Sequence, residues 1–249
     1  MQPWKLEPAK DHGLSFWQSL RSLQRENGLV ATGFHLAWWA LVRGYLSAWH
    51  RLGIHGREHL PAKPPFILVA NHASHLDALV LAAPLPWRIR DRIFPIAAGD
   101  VFFETPARSA FSAFFLNALP MWRKKCGPHA LQELRRRLVD EPCAYILFPE
   151  GSRSRSGQMT SFKVGLGMLV AGTPVPVVPC FLKGCFEAMR PDSAIPRPGS
   201  IHLEIGPPLV FSDVANERAG WEEVARAVEN AVRSLEHRSS QSSSLTATN

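Results

Sequence analysis

The chain has 249 residues, of which 46% are hydrophobic and 20% are charged. This length and composition suffice for one sizeable α/β domain plus a short accessory element, and they exclude a predominantly disordered chain. A formal net charge of +7 with a pI near 9.6 indicates an anionic partner, which is a nucleic acid, an anionic lipid or a phosphorylated substrate.

The tryptophan-rich first fifth of the chain predicts a membrane-facing helical hairpin. Residues 14–26 place apolar side chains on one helical face and arginines on the other, as in a helix that lies in a bilayer interface. The apolar run over 28–42 that follows is shorter than the ~20 residues that a spanning helix needs. We therefore expect residues 1–50 to form an amphipathic or re-entrant hairpin on the cytoplasmic face of an anionic membrane. The alternative, that the tryptophans fill a protein core, stays open.

Residues 51–236 alternate between apolar runs typical of buried strands and amphipathic helical stretches. The strands are expected at 65–70, 92–97, 143–148 and 175–182, with an alternating edge strand at 200–205. One helix is expected to begin at Pro128, and a last one covers about 218–236. This alternation predicts a central mixed sheet covered by helices on both faces. The Ser/Thr-rich residues 237–249 are expected to form a disordered tail.

The first polar motif, Asn71 to Asp77, directly follows the strand predicted at 65–70. Open α/β sheets bind ligands at such strand ends. A histidine is suited to take a proton at neutral pH, and a carboxylate can hold its tautomer. His72 and Asp77 offer this pair if the turn folds back. The alternative is a helix cap.

The second polar motif, Phe148 to Arg155, follows the strand predicted at 143–148. Its small residues and paired arginines suit a phosphate or another anion, bound by backbone N–H groups and guanidinium forks. A basic surface turn is the alternative. The four cysteines show neither a CxxC pair nor a zinc-binding spacing, so we expect free thiols and no metal.

Together, the two motifs resemble those of the 1-acylglycerol-3-phosphate acyltransferases and related glycerolipid acyltransferases. The His-x4-Asp motif of that family is met by His72 and Asp77, and its Phe-Pro-Glu-Gly-Thr-Arg-Ser motif by Phe148–Ser154, with Ser152 in place of threonine. Its proline-punctuated apolar strand is met by 175–179. The resemblance covers about residues 52–210.

The resemblance implies that His72 is the general base for the acceptor hydroxyl and that Asp77 orients it, without an acyl-enzyme. The remaining implied positions bind the acceptor or line the acyl-chain region. The acceptor positions are Arg123, Glu150, Gly151, Ser152 and Arg153, with Lys163 added from its spacing, and the acyl-chain positions are Val175, Pro176 and Pro179.

The implied acceptor is a lysophospholipid, above all 1-acylglycerol-3-phosphate. The implied donor is acyl-CoA or acyl carrier protein, and no further cofactor is expected. Trp122, before Arg123, is bulkier than is usual in relatives and leaves other lysolipid head groups open as acceptors. The resemblance assigns no role to His75, which we expect to be structural or solvent-facing.

Three other classes of function fit the sequence less well. A non-catalytic lipid-binding relative would not need both His72 and Asp77. A nucleic-acid binder would fit the charge, but no helix-turn-helix, zinc or RNP pattern is present, and anionic lipid accounts for the same charge at ~1 kcal/mol per basic residue. A serine hydrolase would require a Gly-x-Ser-x-Gly elbow, which is absent.

Overall fold

The computed structural model describes residues 13–15, 18, 29–98, 119–121, 128–190, 193 and 195–246. The amphipathic helix predicted over 14–26 depends on Phe16, Trp17, Leu20 and Leu23, which lie outside these residues, and Arg123 does too.

Helices and strands alternate along the described chain. The helices are α1 (Leu29–Trp49), α2 (Asp77–Ala82), α3 (Pro128–Asp140), α4 (Gly165–Val170), α5 (Cys185–Ala188) and α6 (Arg218–Thr246), with 3-10 helices at Arg57–His59 and Trp87–Arg92. The strands are β1 (Gly53–His55), β2 (Phe66–Ala70), β3 (Ile93–Ala98), β4 (Leu119–Met121), β5 (Ala144–Leu147), β6 (Thr173–Lys183), β7 (His202–Ile205) and β8 (Leu209–Phe211).

Within the described residues, the strands form one mixed sheet in the order β1-β7-β6-β2-β5-β3-β4, and β8 pairs with β6. The central strand β2 runs parallel to both β5 and β6. Strand β7 is antiparallel to β6 and parallel to β1. Because β2 and β5 are parallel neighbours, the segments that follow them leave the sheet at the same edge.

Helices cover both faces of this sheet, as predicted. Ile67 and Val69 of β2 lie in one buried cluster with residues of α3, α4 and α6. Phe66, Leu68 and Ala70 lie in a second cluster with residues of α1, α2 and α5. This alternation follows from the period of two in a strand, and burial on both faces explains why β2 reads as a continuous apolar run.

Two sequence-based expectations need correction. The strand predicted at a sheet edge, observed as β7, lies between β1 and β6. Its alternation arises because Leu203 and Ile205 are buried while the residues between them are half-buried. Helix α6 continues to Thr246, through residues predicted to be a disordered tail. Ser239 there is buried, and its carbonyl accepts a hydrogen bond from Lys183 Nζ at 3.3 Å. The Ser240 hydroxyl donates to the carbonyl of Glu236 at 2.9 Å, so serines are accommodated inside this helix.

Helix α1 covers the apolar run predicted to lie at the membrane. Among the described helices, none combines the length and hydropathy needed to cross a bilayer. Val42 and Leu46 of α1 pack in the core, whereas Leu41 and Trp49 are 62% and 50% exposed. The helix therefore has one face on the domain and apolar side chains on another.

Candidate active site

The first motif begins with a side chain that extends the sheet. Asn71 follows the last residue of β2, and its Nδ2 donates to the carbonyl of Leu182 at 3.0 Å. The Leu182 N–H donates back to Asn71 Oδ1 at 2.8 Å. The buried amide thus continues the β2–β6 ladder by one step, which fixes the direction in which the chain leaves the strand.

Beyond Asn71 the turn folds back and brings His72 to Asp77. The distance from His72 Nδ1 to Asp77 Oδ2 is 2.8 Å, and the same oxygen accepts the backbone N–H groups of Ala73 at 2.7 Å and Ser74 at 2.8 Å. The Asp77 side chain is 1% exposed. The Ser74 hydroxyl donates to the carbonyl of Met189 at 2.8 Å and ties the turn to the end of α5. These bonds between protein groups hold the carboxylate in place.

The contacts of the His72 ring determine which nitrogen can act as a base. Because Asp77 Oδ2 accepts two backbone N–H groups, it carries no proton of its own, so Nδ1 of His72 donates to it. In the neutral ring, Nε2 then holds the lone pair. The ring stacks on Phe148 with centroids 4.1 Å apart and planes 13° apart. No described residue hydrogen-bonds to Nε2, and the side chain is 20% exposed. The arrangement therefore presents a basic nitrogen of fixed orientation to a ligand.

The second motif is hydrogen-bonded to the first through Glu150. This buried carboxylate accepts the His72 N–H on Oε1 at 2.7 Å. Its Oε2 accepts the Thr160 N–H at 3.0 Å and the Thr160 hydroxyl at 2.7 Å. In the other direction, the Ser154 N–H donates to the His72 carbonyl at 2.7 Å. Both backbone polar groups of His72 are thereby held by the second motif.

Gly151, Ser152 and Lys163 lie together on the outer side of this loop. Gly151 has a φ of 76°, a conformation that glycine adopts without a steric penalty. A Cβ at this position would lie 2.6 Å from Lys163 Nζ, so the lysine amine is packed against the turn. Ser152 and Lys163 are exposed. The loop therefore carries a cationic, solvent-facing edge.

The Arg153 guanidinium extends from the same loop towards the first motif, where its Nη1 contacts Nε2 of His75. Burial lowers the pKa of Arg153, and the Asp77 carboxylate opposes this shift. Burial also lowers the pKa of His75, and the neighbouring Arg153 and His72 lower it further, whereas Asp77 raises it. An arginine stays charged at neutral pH even with a lowered pKa. A fixed cation thus lies beside the His72–Asp77 pair.

The remaining residues implied by the resemblance lie in β6, where Pro179 is opposite Val69 near the end of β2, or outside the described chain. Val175 and Pro179 are buried in β6, where Val175 belongs to the core cluster with α4 and α6, and Pro176 is half-buried. Arg123 lies outside the described residues.

Sequence reasoning assigned no role to several residues that build the site. Phe148 stacks on the His72 ring, Ser74 anchors the turn, and His75 meets Arg153. The first motif contains two of these residues and the second motif contains Phe148, so their presence near the site was predictable. Thr160 lies outside both motifs, and no pattern in the sequence points to it.

The fold and the site define an α/β domain that holds a histidine–carboxylate pair and a fixed arginine at the carboxyl end of its central strands. A family model described as Acyltransferase matches residues 51–183, just over half of the chain. The chain therefore belongs to the Acyltransferase family.

Relatives and a solved structure agree with this assignment. The chain is 26% identical over 162 residues to 1-acyl-sn-glycerol-3-phosphate acyltransferase alpha of Mus musculus, covering 64% of this chain and 55% of that protein. It is 30% identical over 131 residues to the Homo sapiens protein of the same name, and the match covers 52% of this chain and 44% of that protein. The chain thus spans about half the length of the curated relatives it matches. The crystal structure of the 1-acyl-sn-glycerophosphate (LPA) acyltransferase PlsC from Thermotoga maritima superposes with a TM-score of 0.66 and 25% identity, covering 84% of this chain and 80% of that one.

Proposed function

We propose that this protein transfers a fatty acyl group from a thioester donor to the free hydroxyl of a lysophospholipid, with 1-acylglycerol-3-phosphate as the preferred acceptor. The observation that carries the proposal is the His72–Asp77 pair. Its hydrogen bond of 2.8 Å and the two backbone donors on the same carboxylate oxygen fix Nδ1 of His72, and Nε2 has no hydrogen-bond partner among the described residues. The names of the relatives support the choice of acceptor.

The proposed reaction is a single displacement at the thioester carbonyl. Nε2 of His72 removes the proton of the acceptor hydroxyl as its oxygen attacks the carbonyl carbon, and a tetrahedral intermediate forms. The imidazolium is stabilised by Asp77, as a carboxylate does for a general-base histidine. The C–S bond then breaks, the electron pair leaves on the thiolate sulfur, and His72 returns the proton to that sulfur. The products are an ester and a free thiol, and no acyl-enzyme is formed.

Arg153 is the proposed contact for the acceptor phosphate. It is a half-buried, permanently charged fork next to the His72–Asp77 pair, and guanidinium groups bind phosphates in a bidentate manner. Lys163, packed on Gly151 of the same loop, adds a second positive charge near this edge. We propose Arg123 as a further phosphate contact on the strength of the family motif.

Glu150, Gly151 and Ser152 shape the proposed acceptor site, and we assign none of them a contact with the phosphate. All the hydrogen bonds of the buried Glu150 carboxylate go to protein donors, so we assign it to positioning His72. Val175, Pro176 and Pro179 remain the proposed acyl-chain region. Acyl-CoA and acyl carrier protein are both proposed donors because both present a phosphopantetheine thioester, and we propose that no other cofactor takes part.

We further propose that the protein works at the cytoplasmic surface of an anionic membrane. Residues 1–50 would attach it by interfacial or re-entrant helices. The exposed Leu41 and Trp49 on α1 and the net charge of +7 support this proposal. Such an attachment would give the site direct access to lysolipids in the bilayer.

The test is acyl transfer by purified protein in mixed micelles, with acyl-CoA and acyl carrier protein donors offered to a panel of lysolipids. We expect His72→Ala to lower the rate roughly 10²-fold or more, the contribution of a general base. His55→Ala is a matched control. That exposed histidine also pairs with a carboxylate, Glu204 at 2.9 Å, but it ends β1, which runs antiparallel to β2, so it lies at the opposite edge of the sheet.

The outcomes separate the competing functions. Product with wild type and with His55→Ala, but not with His72→Ala, supports the mechanism, and the preferred acceptor then identifies the head group. Faster transfer to a lysolipid with a larger head group, or to an acylated amino-acid lipid, would replace the proposed acceptor and keep the mechanism. A wild-type protein that gives no product with any pair, and binds lipid as His72→Ala does, would point to a non-catalytic lipid-binding relative.

A further inference from the structure

His75 lies inside the first motif, but neither the proposed base nor its carboxylate partner depends on it. The side chain is exposed at the carboxyl edge of the sheet, and its Nε2 contacts Nη1 of Arg153. This contact joins side chains of the two motifs at the point where Arg153 approaches His72 and Asp77. It adds to the main-chain bonds by which Glu150 and Ser154 hold His72.

The chemistry of the two side chains determines the protonation of His75. A guanidinium has five N–H donors and no acceptor, so Nε2 of His75 accepts and must carry a lone pair. The charged and titratable groups facing His75 among the described residues are Arg153, His72 and Asp77. A second proton on His75 would remove the acceptor and place a cation beside Arg153. The lowered pKa of His75 fits the neutral form.

We propose that neutral His75 is a positioning residue that fixes the Arg153 guanidinium for the phosphate of the acceptor. This inference rests on the proposed function, in which Arg153 binds that phosphate. Arginine loses much rotamer freedom when it binds a ligand, and fixing it beforehand lowers that cost. His75 engages Nη1 only, so other N–H groups of the fork are left for the ligand.

Substitution of His75 tests the proposal through the separate behaviour of KM and kcat. We expect His75→Ala to raise the KM for lysophosphatidic acid about tenfold, which corresponds to the loss of one hydrogen bond to a charged group. The kcat and the KM for the acyl donor should stay within about twofold, because the His72–Asp77 pair is untouched. His75→Gln, whose side-chain oxygen reaches about as far as Nε2, should restore most of the affinity. His55→Ala is the control for a generic effect of losing a histidine.

Combining His75→Ala with Arg153→Ala tests whether His75 acts through the arginine. If it does, the second change adds nothing to the KM of Arg153→Ala, whereas independent effects would multiply. The pH profile gives a third readout. Below pH 6.5 protonation removes the acceptor nitrogen, so the wild-type KM should rise there, and His75→Gln should lack that component. His72 is unchanged in both proteins, so the difference between the two profiles isolates His75.

Binding of lysophosphatidic acid without a donor distinguishes failure of this inference from failure of the proposed function. If wild type transfers acyl groups and His75→Ala shows an unchanged acceptor KM, a fall in kcat alone, or effects that multiply with Arg153→Ala, the inference is overturned and the proposed function stands. If wild type gives no product, a weaker Kd in His75→Ala that His75→Gln restores still supports the inference. If wild type neither binds nor acylates lysophosphatidic acid, both are overturned.

Discussion

Replacing Glu150 with glutamine tests whether the two motif loops form one hydrogen-bonded unit. The buried carboxylate accepts three hydrogen bonds, one from the His72 N–H and two from Thr160. A carboxylate only accepts, whereas a glutamine amide has one accepting oxygen and one donating NH2 group. In either orientation of the amide, a backbone N–H of His72 or Thr160 faces the NH2 group and loses its acceptor.

The size of the effect follows from burial. A buried donor left without an acceptor costs about 1–3 kcal/mol, so we expect Glu150→Gln to lower the free energy of unfolding by about 2 kcal/mol. If the amide oxygen stays with Thr160, the unpaired group is the His72 N–H, and we expect His72, the proposed base, to move. A displacement of ~1 Å at a reacting group costs on the order of 10²-fold in rate, so kcat should fall along with stability.

Urea denaturation followed by tryptophan fluorescence measures the first effect, and acyl transfer at saturating substrates measures the second. Thr160→Val is the matched control, because it removes one hydroxyl donor from the same carboxylate and leaves the His72 contact in place. That variant should lose no more than about 1.5 kcal/mol and keep most of its kcat. A Glu150→Gln protein equal to wild type in both stability and kcat would refute the proposal that this carboxylate holds the two motif loops together.

Gly151, Cys143 and the exposed end of α1 give three further expectations. Gly151→Ala should lower the free energy of unfolding by about 1–2 kcal/mol, because alanine is strained at the positive φ of this position. Adding Lys163→Ala to the same chain should relieve only the crowding at Nζ. Full recovery of stability in urea denaturation would therefore contradict the backbone explanation. Burial raises the pKa of the Cys143 thiol to about 11, so roughly 0.1% of it is thiolate at pH 8. Iodoacetamide should therefore label this residue far more slowly in the native than in the unfolded protein. Peptide mass spectrometry measures the two labelling rates. Replacing both Leu41 and Trp49 with serine should weaken binding to anionic vesicles at least ~10-fold in a sedimentation assay. The reason is that burying each apolar side chain in the membrane is worth about 1.5–3 kcal/mol. Undiminished sedimentation would remove α1 from the proposed membrane contact.

The strands that carry the motifs could be predicted because they are buried on both faces. β2, β3, β5 and β6 each end within two residues of their predicted limits, since a continuous apolar run followed by polar residues marks a central parallel strand. β1, β4 and β8 have three residues each and are too short for periodicity to indicate. The predicted end of the last helix was wrong because the Ser/Thr-rich composition, which suggested a tail, gives no information on the packing of Ser239.

The His72–Asp77 contact could also be anticipated, because five residues that fold back on themselves bring the two side chains together. The partners of Glu150 could not, since its bond to His72 joins residues 78 positions apart and depends on which strands are neighbours. The contact between His75 and Arg153 depends on the same neighbour relation. Local spacing therefore indicates a pair within one motif, whereas contacts between motifs require the strand order.

That strand order explains why the two motifs meet at one edge of the sheet. β2 and β5 are aligned in parallel with Val69 opposite Leu147, so Phe148 leaves the sheet beside the chain that leads to His72. The stacking of Phe148 on the ring and the bonds of Glu150 then follow from the register of the sheet.

A loop held in this way has few conformations of its own, so His72, the proposed base, keeps its orientation at little entropic cost. The same coupling makes substitutions in the two motifs non-additive. Glu150→Gln and Asp77→Asn each free one end of the turn that carries His72, and combining them should cost kcat less than the product of the single effects, because the turn that either change loosens is the same one.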